Sequence, residues 1–258
     1  MENKKIMLDD VLKDSDYLGE NELAGCHIYV NREREMLLTG ASVVQYFGYD
    51  RRVEIPYGVK RIWPGAFNYK DRLESVVIPD SVEKIDDYAF FFCPELQDVQ
   101  FGNNVKYVGK RAFKTMAFEE CSLFIDLPDS VEFVGEEAFM GCTVAKLPQN
   151  LKHIGAGAFS RCAWVASGAA SEWYAEIPEG VITIGEVAFA EMCLDDDCKG
   201  IRVPVSVKKI GKGAFRNIYG GANKNTVYYA GSEEQFKAIE IDNTDDWLKN
   251  IKVEFNRA

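Results

Sequence analysis

Residues 78–93 read IPDSVEKIDDYAFFFC, and residues 127–142 read LPDSVEFVGEEAFMGC. Eight of the sixteen aligned positions are identical, and three more exchange similar side chains. The Ala-Phe pair of this stretch occurs in one common frame at seven places, where its phenylalanines are Phe67, Phe90, Phe113, Phe139, Phe159, Phe189 and Phe215. Self-similarity at intervals of 20 to 30 residues predicts a solenoid in which every copy forms one coil.

Each copy contains an apolar–x–apolar triplet, at residues 76–78 in the second copy and at residues 145–147 in the fifth. Alternation with a period of two predicts a short strand whose outer residues face the core. A Pro follows the triplet in most copies and ends the strand, because Pro has no backbone N–H to donate. The seven triplets therefore predict a strand face along the solenoid.

The rest of each copy predicts the return path of the coil. A Val-x-x-Ile step, such as Val82 to Ile85, should cross the far side of the coil. A Gly follows this step in five copies and should allow a tight bend. The Ala-Phe pair fits a helical or 3₁₀ turn with Phe as the buried anchor. Because one such unit cannot bury its own apolar face, the stacked units should share one continuous core.

The pattern L-x-x-I-x-I-P-x-S-V-x-x-I-G-x-x-A-F-x-x-C resembles the BspA-like, treponemal-type leucine-rich repeat family over about residues 53–225. Trp63 and Asp86 depart from it in place of the Gly, and Gly102 replaces the Pro. The resemblance implies a β-rich α/β fold, a right-handed leucine-rich repeat solenoid of about seven coils. It also implies a curved surface that faces a partner, often at bacterial cell surfaces, and no catalytic site within the repeat.

The chain divides into three predicted regions. Residues 1–50 should form an N-terminal cap with a short helix near Leu8 and strands at residues 27–30 and 42–47. Residues 51–225 carry the repeats, and residues 226–258 should form a C-terminal strand-helix-strand cap. Ser232 and Gln235 have the spacing of a capping box, which predicts a helix from about Glu233. The caps would cover the apolar ends of the solenoid.

Composition narrows the choice of partner. The net charge is −11, which argues against nucleic acid, because that binding needs clustered Lys and Arg. No apolar run approaches the ~20 residues of a membrane span, so we expect no membrane insertion. The first residues lack the apolar core of a signal peptide. The expected location is cytoplasmic as written, or cell surface or secreted if a native signal precedes this sequence, and we expect a monomer.

The reactive side chains offer little chemistry. Seven cysteines do not suit a disulfide framework, and three of them follow the repeat Phe at a fixed distance, which predicts small buried fillers. The CLDDDC stretch at residues 193–198 could bind Ca²⁺ through Asp195, Asp196 and Asp197, or Zn²⁺ through its cysteines. It lacks EF-hand spacing and a nearby His, so a solvated loop is the favoured interpretation. We expect no catalytic residue, no metal and no cofactor.

Two surfaces are the predicted partner-binding sites. The first is the strand face, which exposes the middle residues of the triplets and their neighbours, namely Glu54, Gln100, Asp126, Lys146, Tyr174, Glu176, Arg202 and Tyr228. The second is the insertion at residues 160–174, where Trp164 and Trp173 would act as exposed anchors. The alternative for both tryptophans is that they fold back over the core.

These observations favour a non-enzymatic protein-interaction module, adhesin-like in one version, that presents its strand face and its aromatic insertion to a protein or glycan. A purely structural spacer is the first alternative. A Ca²⁺- or Zn²⁺-dependent domain centred on residues 193–198 is the second.

Overall fold

A computed structural model of the protein describes residues 6–21, 26–114, 123–165, 173–220, 226–244 and 246–255. The seven copies form seven stacked coils, and each coil adds one strand to a sheet that runs the length of the solenoid. We call this the long sheet. Within the described residues its twelve strands are, in order, Asp16–Asn21, Cys26–Asn31, Met36–Thr39, Ser42–Tyr46, Arg61–Ile62, Lys84–Ile85, Tyr107–Val108, Phe133–Val134, His153–Ile154, Thr183–Ile184, Lys209–Ile210 and Glu240–Ile241. The first four are joined antiparallel, and all later neighbours are parallel.

Three shorter parallel sheets lie elsewhere on the coils. One contains Arg52–Glu54, Ser75–Val77 and Asp98–Gln100. The second contains Phe124–Ile125, Thr143–Val144, Ala163–Trp164, Cys193–Leu194 and Tyr219–Gly220. The third contains Trp173–Glu176, Cys198–Val203, Thr226–Tyr229 and Lys252–Phe255.

The prediction of one strand face that runs along the whole solenoid is wrong. The triplet strands are divided among separate sheets, and residues 145–147 form no strand. The Val-x-x-Ile step, predicted only to cross the coil, instead supplies the strands of the long sheet. The reason is spacing, since each triplet directly follows an insertion of variable length. The Val-x-x-Ile step always lies a fixed distance before the anchoring Phe, so its ladder stays in register from coil to coil.

The Gly after this step does not provide a bend. A Cβ on Gly135 would lie 2.6 Å from the backbone carbonyl carbon of Gly109 in the coil before, and Gly155 and Gly185 show the same close approach. The Gly therefore permits backbones of adjacent coils to touch. The residues with a left-handed backbone conformation instead flank the Ala-Phe turn. In the second coil they are Tyr88 (φ 60°) and Phe92 (φ 57°).

The core is a column of stacked rings. The repeat phenylalanines are fully buried, and consecutive ring centroids lie 4.9–5.7 Å apart with the rings nearly parallel. Cys93 and Cys162 fill the space beside this column, and each thiol donates to the carbonyl of the repeat Phe in the preceding coil. The prediction of buried cysteine fillers is confirmed for these positions. Burial raises the pKa of the Cys93 thiol to about 11.

Both ends of the column are covered. Tyr46 stacks on the first repeat Phe at 5.2 Å, and the helix Leu8–Lys13 buries Leu8 and Val11 at that end. At the other end Trp247, in the 3₁₀ helix Trp247–Asn250, lies 6.3 Å from the last repeat Phe. The helix Glu233–Lys237 begins with both bonds of the predicted Ser232 capping box, which confirms that prediction.

Candidate interaction surface

The prediction that Trp164 is an exposed anchor of the insertion is wrong. Its side chain is 1% exposed, its Nε1 donates to the backbone oxygen of Ala145 at 3.1 Å, and its ring stacks on Phe189. Trp164 continues a short strand beside the core and fills the coil, so the alternative of folding back is the one the structure shows. Residues 166–172 of the insertion lie outside the described residues.

Trp173 is hydrogen-bonded to the acidic stretch at residues 193–198. Trp173 is half-buried against the core, and its Nε1 donates to Oδ1 of Asp195 at 2.8 Å. Within the described ranges no group of three or more His, Cys, Asp or Glu side chains is arranged to hold a metal ion. Asp195 thus lies against an indole, and its described neighbours do not complete the ligand set of the metal-dependent alternative.

The predicted residues of the strand face divide into an exposed group and a group that is half-buried or buried. Glu54, Gln100, Asp126, Lys146 and Glu176 are exposed, as predicted from their alternation. Glu54 and Gln100 lie on one short sheet and Glu176 on another, whereas Asp126 and Lys146 lie outside the strands. Their role as partner contacts stays a prediction.

The second group is not freely exposed. The prediction is wrong for Tyr228, which is only 4% exposed. It lies between Arg202 and Glu254 on the neighbouring strands, and the half-buried ring of Tyr174 meets its edge at 5.1 Å. The Arg202 guanidinium lies 3.8 Å over the Tyr174 ring and pairs with Glu176 at 3.0 Å. Arg202 and Tyr174 therefore hold the strands of this sheet together, and Tyr228 is not available to a partner.

A continuous surface lies on the long sheet. In each of its two-residue strands the Ile or Val faces the core, and the residue before it faces outward. We call the outward residues the outer row, which comprises Arg61, Lys84, Tyr107, Phe133, His153, Thr183, Lys209 and Glu240. The residues just before them form the flanking row, which comprises Lys60, Glu83, Lys106, Glu132, Lys152, Ile182 and Lys208.

Aromatic side chains occupy the centre of the outer row. The half-buried rings of Tyr107 and Phe133 stack with centroids 4.8 Å apart and planes 3° apart. His153 follows at 6.4 Å from Phe133, and its Nδ1 lies 2.9 Å from Oγ1 of Thr183. Burial, and then the carboxylates of Asp87 and Asp86, raise the pKa of Tyr107. Its phenol therefore stays neutral at physiological pH and can donate a hydrogen bond.

Charged side chains surround these rings. Lys84 places its Nζ 4.6 Å over the Tyr107 ring, a cation–π contact. In the flanking row Lys60 pairs with Glu83 at 2.9 Å, and Lys152 pairs with Glu132 at 2.7 Å. The bond from Lys60 lowers the pKa of Glu83. The surface therefore combines an apolar centre with a charged rim, which is the composition of a protein-binding patch.

The sequence carries a signal for this surface in the position before the Ile or Val of each step. The position before the Ile or Val of each step changes from Lys to Tyr, Phe and His while the Ile or Val stays apolar. That pattern is alternation over two residues only, too short to mark a strand by itself. Its repetition at a fixed distance from the repeat Phe is what makes the strands pair.

This fold and surface define a class, the solenoid repeat proteins, which carry their binding residues on an array of similar strands. The family model for the BspA type leucine rich repeat region matches residues 50–117 and 114–218, in six copies. The chain therefore belongs to the BspA-type leucine-rich repeat family. No curated protein matches the chain.

Solved structures agree on the fold. A leucine-rich repeat protein from Bacteroides ovatus is 17% identical with a TM-score of 0.51, over 84% of this chain and 65% of that chain. The leucine-rich repeat protein TpLRR from T. pallidum is 21% identical with a TM-score of 0.51, over 77% of this chain and 88% of that chain. The chain thus spans slightly less than two thirds of the Bacteroides structure. Neither the family match nor these structures indicate a catalytic family. No described helix is long and apolar enough to cross a membrane.

Proposed function

We propose that this protein is a non-enzymatic binding module that holds a protein partner across the outer face of the long sheet. The observation that supports it best is the aromatic segment of the outer row, where Tyr107, Phe133 and His153 stand half-buried side by side. Aromatic side chains are over-represented among the residues that dominate binding energy. An adhesin-like role is one version of the proposal, supported by the resemblance to a family often found at bacterial cell surfaces.

Selection from a random peptide library tests this proposal without a known partner. Peptides selected on the wild-type protein should bind at least about tenfold more weakly to the Tyr107→Ser, Phe133→Ser variant, because an aromatic anchor contributes about 2 kcal/mol or more. The matched control is Tyr69→Ser with Phe124→Ser, since these exposed rings lie off the long sheet. Circular dichroism checks that both variants fold.

Two outcomes would count against the proposal. Peptides that bind both variants equally well would place the site elsewhere on the molecule. Failure to select any peptide that binds the folded protein would favour the structural spacer.

A further inference from the structure

We infer that the outer face of the long sheet binds an acidic, extended segment of a partner polypeptide, an inference that rests on the proposed function. Charge is the first observation. The outer and flanking rows together contain seven Lys or Arg and three Glu, on a chain whose net charge is −11. Asp86 pairs with two of these cations, so the balance is seven cations against four carboxylates, a net charge of +3. This face therefore attracts anions on a molecule that repels them as a whole.

Two of these cations make no ion pair within 4.0 Å among the residues that the structure describes. The others are paired: Arg61 and Lys84 with the buried Asp86, Lys60 with Glu83, Lys152 with Glu132, and Lys209 with Glu240. Lys106 and Lys208 are exposed and make no ion pair within 4.0 Å in the part of the chain that the structure describes. Lys60 and Lys152 lower the pKa of Glu83 and Glu132, and the charge of Lys106 adds a smaller contribution to both. A partner carboxylate can nevertheless engage Lys106 and Lys208 without displacing an ion pair.

The ring geometry favours a polypeptide over a glycan. One face of Tyr107 lies under Lys84 and the other stacks on Phe133, so the ring edges are the parts left for a partner. A sugar stacks on an aromatic face, which is covered here. The ring edge is the positive end of the aromatic quadrupole and suits a carboxylate or carbonyl oxygen.

The spacing of the two lysines sets the length of the segment. Their strands are four intervals apart in the long sheet, which corresponds to about 19 Å at ~4.8 Å per interval. An extended polypeptide rises about 3.3 Å per residue, so carboxylates about six residues apart reach both lysines. The residues between them would cross the aromatic segment of the outer row.

Fluorescence anisotropy with a labelled synthetic peptide tests this inference. The probe has two Glu-Glu pairs six residues apart with Leu between them, and its twin has Gln at every Glu. At about 50 mM salt the Glu peptide should bind at least about tenfold more tightly than the twin, and added salt should narrow the gap. Lys106→Glu with Lys208→Glu should abolish that gap. Lys13→Glu with Lys252→Glu, which changes net charge equally at exposed sites off this face, should preserve it.

Each other outcome overturns the inference. If the Glu and Gln peptides bind equally while library-selected peptides still need Phe133, the acidic partner is wrong and the proposed function stands. If neither probe nor selected peptides depend on this face, both are wrong. If polygalacturonate binds more tightly than the Glu peptide through Lys106 and Lys208, the partner is an acidic glycan.

Discussion

At the scale of single residues, each coil is fixed by side chains that do one physical task each. The repeat Phe fills the coil and stacks on its neighbours, as Phe90 does on Phe67 and Phe113 at 4.9 Å. The Ala before it is fully buried in every coil. Cys93 fills the remaining space and satisfies a carbonyl of the coil before it. These tasks explain why the same letters return at the same offsets.

Thiol reactivity tests this view of the cysteines. With its pKa raised to about 11, Cys93 holds only about 0.1% thiolate at pH 8, and its sulfur is also shielded from reagents. Cys193 is exposed. Iodoacetamide at pH 8 should therefore alkylate Cys193 quickly and Cys93 only after unfolding, as read for each cysteine by peptide mapping. Alkylation of Cys93 in the folded protein at a rate close to that of Cys193 would show that the Cys93 thiol is accessible to reagent and contradict its role as a buried filler.

At the scale of the element, the coil is held to its neighbour by backbone contact as well as by rings. The long sheet places one two-residue strand per coil in register with the next, and a Gly lets the backbones meet directly after it. The short sheets add ladder bonds only where the insertions allow their strands to align. The coil-to-coil contact at this Gly should therefore be sensitive to a single methyl group.

Gly135→Ala measures that sensitivity. Its Cβ would overlap backbone atoms of Gly109 and Lys110, so the free energy of unfolding should fall by about 2–3 kcal/mol. Gly40→Ala is the matched control, because a Cβ there meets nothing within 4 Å. Its effect should stay within about 1 kcal/mol. Urea denaturation of both variants gives the comparison, and equal midpoints would contradict the close approach.

The elements also show how far the sequence predicts this structure. The period, the buried Phe and the capping box at Ser232 follow from local chemistry, and all three are found. It could not be predicted that the Val-x-x-Ile steps form the long sheet, because a two-residue strand gives no pattern until its neighbours are aligned. Trp164 could not be placed either, since an indole beside small residues is equally typical of a loop and of a core.

At the scale of the whole molecule, the solenoid separates fold from function. Its buried side repeats the same residues, while its outer row changes from basic to aromatic to polar along the axis. A protein without a repeated catalytic motif can still be specific if those changes face one partner. The candidate surface is therefore a property of the assembled coils, because no single copy contains Tyr107, Phe133 and His153 together.

Hydroxyl-radical footprinting tests most directly whether this surface binds. The protein is oxidised with and without a peptide selected on it, and modification is read residue by residue. We expect the peptide to protect Tyr107 and Phe133 and to leave Tyr49 and Tyr69, which are 70% and 62% exposed, as reactive as before. Protection of Tyr49 or Tyr69 with Tyr107 and Phe133 unchanged would contradict binding at the long sheet.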